Sequence, residues 1–180
     1  YHPIILEASE RAGGRVKTDN KKGFQLDHGF QVLLSSYPAA QKYLDFKALK
    51  LQKLKPGAVI FKNGKQQIIG DPLRDISTLF STLFSGVGTF SDKFKIFQLN
   101  MKLKNKSIEA IFSSDEISTK AYLQEFGFSS QIIAQFFTPF FTGIFLENEL
   151  TTSSRMFEFV FKMFGEGLAV LPKGGMEEIS

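Results

Sequence analysis

Residues 4–18 read Ile-Ile-Leu-Glu-Ala-Ser-Glu-Arg-Ala-Gly-Gly-Arg-Val-Lys-Thr, and residues 23–29 read Gly-Phe-Gln-Leu-Asp-His-Gly. Ile4, Ile5 and Leu6 form a short unbroken apolar run, the pattern of a parallel strand buried on both faces. The run stops at an acid, Glu7. In a dinucleotide-binding fold, an acid ending the second strand accepts hydrogen bonds from ribose hydroxyls, and it selects against a 2′-phosphate. Gly13 and Gly14 follow, then Arg15. Glycines let backbone come close to a bulky anion, and an arginine beside them neutralises a pyrophosphate. An ordinary turn and a surface salt bridge are the competing readings of the same residues. A polar turn is expected over Asp19 to Gly23, and Asp27-His28-Gly29 closes the stretch.

Glu7-Ala8-Ser9-Glu10-Arg11-Ala12-Gly13-Gly14-Arg15 resembles the E-A-x-x-R-x-G-G-R signature of FAD-dependent amine oxidases, phytoene desaturases and protoporphyrinogen oxidases, within the wider NAD(P)/FAD-dependent oxidoreductases. Asp27-His28-Gly29 resembles the D-x-G that follows in that superfamily, and Leu171-Pro172-Lys173-Gly174-Gly175-Met176 resembles its later P-x-G-G-M. The likeness is anchored in residues 4–36 and, more loosely, 136–180. It implies FAD as cofactor, with Glu7 at the ribose, Ala8 beside it among the cofactor-binding residues, and Arg11 near the adenosine. It also implies Gly14 and Arg15 along the pyrophosphate and ribitol, and Gly29 and Phe30 with their backbone against the flavin ring. A surface role competes for Arg11. His28 holds the variable position of its motif, and Asp27 is expected to fix its loop by accepting from backbone N–H groups. Phe136 to Gly143 resembles a P-F-x-x-G segment near the substrate cavity of desaturase-like members; a buried helix kinked at Pro139 is the competing reading.

The family's G-x-G-x-x-G, which cradles the pyrophosphate at a helix N-terminus, is expected ~20 residues before Glu7. Six residues precede it. The expectation is therefore an internal fragment of a longer enzyme that alone folds poorly and holds no FAD. The fold class expected is α/β: a partial Rossmann-like FAD-binding layer over residues 1–36 and a mixed α+β, mostly helical substrate domain over 37–170. Residues 171–180 would return toward the FAD-binding layer.

Composition narrows the alternatives. The 180 residues are 43% hydrophobic, enough for a core. With 21 Phe, 4 Tyr and no Trp, core filling is favoured over an apolar substrate cavity as the reason for the phenylalanines. The net charge of +4 gathers in Lys42–Lys62 and Lys93–Lys106. A solvated face is the larger reading there and an anionic-lipid face the smaller. No nucleic-acid motif accompanies the charge. There is no cysteine, which removes disulfides and thiolate metal sites. His2 and His28 lack partners at zinc-ligand spacing, so no metal is expected. No run reaches the ~18 apolar residues of a spanning helix. The expected compartment is the cytoplasm, with peripheral membrane contact left open.

Punctuation along the chain places the elements. Ser36 and Pro38 start a helix that runs to Leu44 or Phe46. A small sheet is expected over residues 49–69, with Asn63-Gly64 as a tight hairpin turn between Ala58–Phe61 and Lys65–Ile69. Helices follow over 72–83, Ser91–Asn105, Ser107–Phe112, Ser118–Phe126, Ser130–Phe141 and Ser153–Phe164, the last ended by Gly165 and Gly167. That last helix is apolar on most faces, hence buried, cavity-lining or lipid-facing.

No nucleophile–base pair or paired carboxylate is visible, which fits chemistry carried by a cofactor. The expected function is a flavin-dependent oxidoreductase moving hydride from a C–H of an apolar substrate, beside nitrogen or allylic, to FAD. No catalytic residue is assigned. An NAD-dependent dehydrogenase domain is one alternative. A non-catalytic fragment or paralogue with a lipid- or partner-binding helical module is the other.

Overall fold

The computed structural model describes residues 4, 6–29, 32–62, 64–70 and 88–180. In chain order its elements are β1 (Thr18–Lys21), β2 (Phe24–Asp27), β3 (Leu33–Leu34), α1 (Pro38–Tyr43), β4 (Gln52–Lys53), β5 (Gly57–Lys62) and β6 (Lys65–Gly70). There follow α2 (Phe90–Lys104), α3 (Ile108–Phe112), α4 (Thr119–Glu125), α5 (Ser130–Ile132), a π-helical turn (Ile133–Phe137), α6 (Thr138–Phe145) and α7 (Ser154–Glu166). The chain closes on β7 (Ala169–Leu171) and a 3₁₀ turn (Met176–Ile179). Two units result: Tyr1–Lys55 with Gly167–Ser180, and Pro56–Glu166.

In the first unit, Lys22 and Gly23 both take positive φ (51° and 84°). Two such residues make the tight turn whose twist matches paired strands. They close an antiparallel hairpin of β1 on β2, with Thr18 opposite Asp27. The stretch Asp19–Gly23, expected as turn throughout, is therefore mostly strand. A second sheet places β7 between β3 and β4, antiparallel to both. Leu33, Ala40, Val170 and Met176 form its core, with Val16, Tyr37, Leu44 and Leu51 packed around them. Gly167 has to be glycine: a Cβ there would meet the backbone nitrogen of Ser36 at 2.6 Å. Helix α1 starts after Tyr37 with no side-chain cap; Ser36 does not fill that role.

Ile5, in the middle of the expected parallel strand, lies outside the described residues. Ile4 and Leu6 have no strand geometry and stand 88% and 92% exposed. A short apolar run becomes a strand only when neighbours bond both its edges and cover its faces. No strand lies beside these residues among those described. The sheets that do form are small and antiparallel, and no Rossmann-like layer is seen in them.

The second unit begins with the hairpin β5–β6, paired from Gly57↔Gly70 to Lys62↔Lys65. Gly64 takes φ 71°, as a two-residue turn demands; Asn63 lies outside the described residues. So does the helix expected over 72–83. Helices α2 to α5 begin at side-chain caps. Ser107, Ser118 and Ser129 each accept a backbone N–H in the first turn of α3, α4 and α5. Thr89 and Asp92 form a reciprocal capping box on α2, one residue before the expected start.

Asp92 also links two helix starts. Its carboxylate accepts from the Thr89 amide (2.7 Å), the Ser129 amide (2.9 Å) and the Ser129 hydroxyl (2.7 Å). Burial pushes its pKa up, but the hydrogen bonds from Ser129 and Thr89 outweigh that and hold it at about 2. A folded pKa below the unfolded value stabilises the fold at pH above the unfolded pKa, and the gain fades as pH falls through the folded one. Stability should therefore drop by about 2 kcal/mol between pH 4 and pH 2 from this group alone. In Asp92→Asn that part of the acid transition, read by chemical denaturation at each pH, should be absent.

Pro139 explains the widened turn. Proline has no N–H and its ring crowds the carbonyl four residues back, here that of Gln135. The helix opens to i→i+5 bonding over Ile133–Phe137, and the Thr138 amide donates to the Ile133 carbonyl. Phe137, Phe141 and Phe157 are fully buried beside Leu99, Leu123 and Leu150. Core filling thus accounts for much of the phenylalanine surplus. Helix α7 runs through Gly165 to Glu166 rather than ending there. A Cβ on Gly165 would meet Asn100 Oδ1 at 2.9 Å, so the glycine permits close approach of α7 to α2.

Candidate functional site

The three motifs singled out in the sequence meet in the first unit. Asp27, at the end of β2, accepts from the Met176 amide (3.0 Å) and from the Thr18 hydroxyl (2.5 Å). Thr18 Oγ1 in turn accepts from the Glu177 amide (3.1 Å), and the Thr18 amide donates to Glu177 Oε2 (3.0 Å). Gln25 donates to the Lys173 carbonyl (3.1 Å). The 171–176 segment is thereby fastened along the hairpin. Gly175 (φ 95°) makes this possible, because a Cβ on it would run into the Thr18 side chain.

Arg11 enters the same lock. Its guanidinium pairs with Glu177 (2.8 Å) and Asp19 (3.0 Å). Asp19 also takes His28 Nε2 at 2.7 Å. The His28 hydrogen bond, then that from Arg11, hold the Asp19 carboxyl below its ordinary pKa. His28 is thus committed to Asp19. Gly29 has a packing reason to be glycine: a Cβ would meet the Arg15 carbonyl at 2.5 Å. The first and second motifs touch there.

Glu7, Ala8, Gly14 and Arg15 are exposed. Glu7 Oε1 accepts from the Ser9 amide at 2.7 Å, and that bond holds its carboxyl below the usual range. It is anionic at neutral pH and exposed to solvent. Gly14 (φ 57°) has nothing within 4 Å of where a Cβ would stand. Arg15 makes no ion pair among the described residues. Phe30 lies outside them. An acid, an open glycine backbone and an unpaired arginine are the donor and acceptor types that a ribose and a pyrophosphate need. These residues fit that half of a dinucleotide.

The second unit holds two further features. Glu158, 2% exposed on α7, accepts from Lys106 Nζ (2.5 Å) and the Tyr122 hydroxyl (2.7 Å). Burial, then the Glu158 bond, push the Tyr122 phenol well above its ordinary pKa. The group lines a cleft of about 400 Å³. Separately, Val59 and Phe61 on β5 face Phe136, Pro139 and Phe140 across an apolar groove of about 490 Å³. Gln135 lines it, and its Oε1 is buried with no hydrogen-bond partner among the described residues.

Sequence reasoning found the motif residues but not Thr18, Asp19 and Glu177, which tie them together. A polar residue beside a motif carries no signal of a partner about 160 residues away. Glu158 was hidden inside an apolar helix; an acid among phenylalanines is the one mark that could have raised it. Among the described residues no three His, Asp or Glu are grouped to hold a metal. No described helix is long and apolar enough to cross a membrane.

What the motifs suggest, family comparison establishes at the level of class. Residues 1–180 match the family model of flavin containing amine oxidoreductases, and the chain belongs to that family. It is by family a flavin oxidoreductase. No curated protein and no solved structure matches it.

Proposed function

We propose that the chain serves a flavin-dependent oxidoreductase that binds FAD and takes hydride from a C–H of an apolar substrate. The observation that carries this is the junction of the three motifs, with Glu7, Gly14 and Arg15 left open beside a fully engaged Asp27–Thr18–Glu177 lock. When bound, the flavin supplies the hydride-accepting ring. This chain's residues hold and orient. Glu7 and Ala8 take the adenosine ribose, the Glu7 carboxylate accepting from its hydroxyls. Gly14 gives the pyrophosphate close backbone approach and Arg15 neutralises it. Gly29 and Phe30 set their backbone toward the ring, and Asp27 fixes the loop that carries them. Arg11 acts through the lock rather than on the cofactor.

The first unit is thus the cofactor-holding part and the helical unit the substrate-holding part. The apolar groove of Val59, Phe61, Phe136 and Phe140 suits an apolar body. Gln135 Oε1 asks for a donor, which an amine N–H supplies. The test is to express the complete coding sequence and identify the flavin released on denaturation. FAD is expected. FMN, or no flavin at all, would overturn the proposal.

A further inference from the structure

Residues 7–17 carry Glu7, Gly14 and Arg15, yet they form neither helix nor strand. Within 7–15, Arg11 is, among the described residues, the one side chain that bonds beyond the stretch. The bonds of Glu7 and Ser9 stay inside it. How this stretch is set against the His28-Gly29 loop therefore depends on what Arg11 holds.

Asp19 stands on β1, outside all three motifs, and its two carboxylate oxygens divide. Oδ1 accepts from Arg11 Nη2 at 3.0 Å, and Oδ2 takes His28 Nε2 at 2.7 Å. Arg11 lies in the stretch of Glu7, Gly14 and Arg15, whereas His28 directly precedes Gly29. One carboxylate thus spans the adenosine-side stretch and the flavin-side loop. Glu177 also holds Arg11, at 2.8 Å, but it meets the hairpin at the Thr18 amide. Among the described residues the His28 ring hydrogen-bonds to Asp19 alone. A ligand that touches two stretches gains when they are fixed in register beforehand; a ligand that touches one does not.

We propose that Asp19 is a positioning residue for a ligand that spans both stretches. It sets the His28-Gly29 loop in register with the Arg11-held stretch, so that a whole FAD is bound more tightly than its adenosine half. This rests on the flavin reading above. A merely structural ion pair would instead weaken the site as a whole, lowering the affinity for both ligands alike.

The experiment strips flavin from protein made from the complete coding sequence, then titrates it with FAD and, separately, with ADP. In Asp19→Ala the FAD affinity should fall about fivefold, the upper size of one exposed charged tie. The ADP affinity should fall less than about twofold, because Arg11 keeps Glu177. His28→Ala should behave the same way, and the double variant should be no worse than either single one. Arg11→Ala should weaken both ligands. Asp19→Asn keeps the side chain's shape and one acceptor oxygen; it guards against a loss of fold and should lose less FAD affinity than the alanine. An unchanged FAD affinity in Asp19→Ala, an equal loss of FAD and ADP, or additive losses in the double variant would overturn this inference and leave the flavin reading standing. Unmodified protein that takes ADP but not FAD would overturn the flavin reading and this inference with it.

Discussion

Phe137→Ala should lower the unfolding free energy by about 4 kcal/mol, the range for deleting a buried aromatic ring. Phe137 is fully buried, and its ring lies 4.9 Å from that of Phe128, 5.2 Å from Phe136 and 6.0 Å from Phe157. It stands at the end of the π-helical turn, immediately before Thr138-Pro139. The neighbouring backbone is fixed by the proline, so the cavity can collapse only in part. Urea unfolding should show a lower midpoint with an unchanged slope. Phe136→Ala, at a half-buried position on the same turn, should cost less than half as much. Equal costs would mean that Phe137 is not at the centre of this core.

Gly175→Ala carries the second large effect, about 3 kcal/mol. Two costs combine in it. A non-glycine residue at φ 95° is strained by roughly 1–3 kcal/mol. The added Cβ also runs into Thr18, which is 3% exposed and holds both Asp27 and Glu177. The 171–176 segment cannot shift away without breaking the Met176–Asp27 and Glu177–Thr18 bonds. Gly14→Ala is the contrast. Its φ of 57° costs about 1 kcal/mol, and the Cβ meets nothing. Thermal melting of the two variants should therefore separate them by several degrees. Similar melting of both would deny that the 171–176 segment is locked to the hairpin.

Local chemistry was the legible part of this chain. Ser107 and Ser118 cap where a hydroxyl before an apolar run should cap, and Gly64 turns where a hairpin needs positive φ. These features act within four residues, so sequence alone displays them. What failed needed distant partners. Ile4 and Leu6 look like a buried strand, yet an apolar run has no fold without neighbours to bond its edges. Strands β4 and β7 are two and three residues long, too short to show a period. The Lys22 turn was hidden because lysine rarely takes positive φ. The motif residues themselves were found through their likeness to a family. Their meeting through Thr18, Asp19 and Glu177 is a tertiary fact that no spacing records.

The open carboxylate of Glu7 bears most directly on the account. Protein from the complete coding sequence, unmodified and as Glu7→Ala, should be purified side by side and its bound flavin measured against protein. Losing a hydrogen bond to a charged acceptor should weaken FAD retention by on the order of tenfold to a hundredfold. Among the described residues Glu7 is held by its own neighbours Ser9 and Ala8, so the flavin-free forms of the two proteins should melt alike. FAD in the unmodified protein and its loss from Glu7→Ala is the result expected here. Equal FAD in both proteins would contradict it.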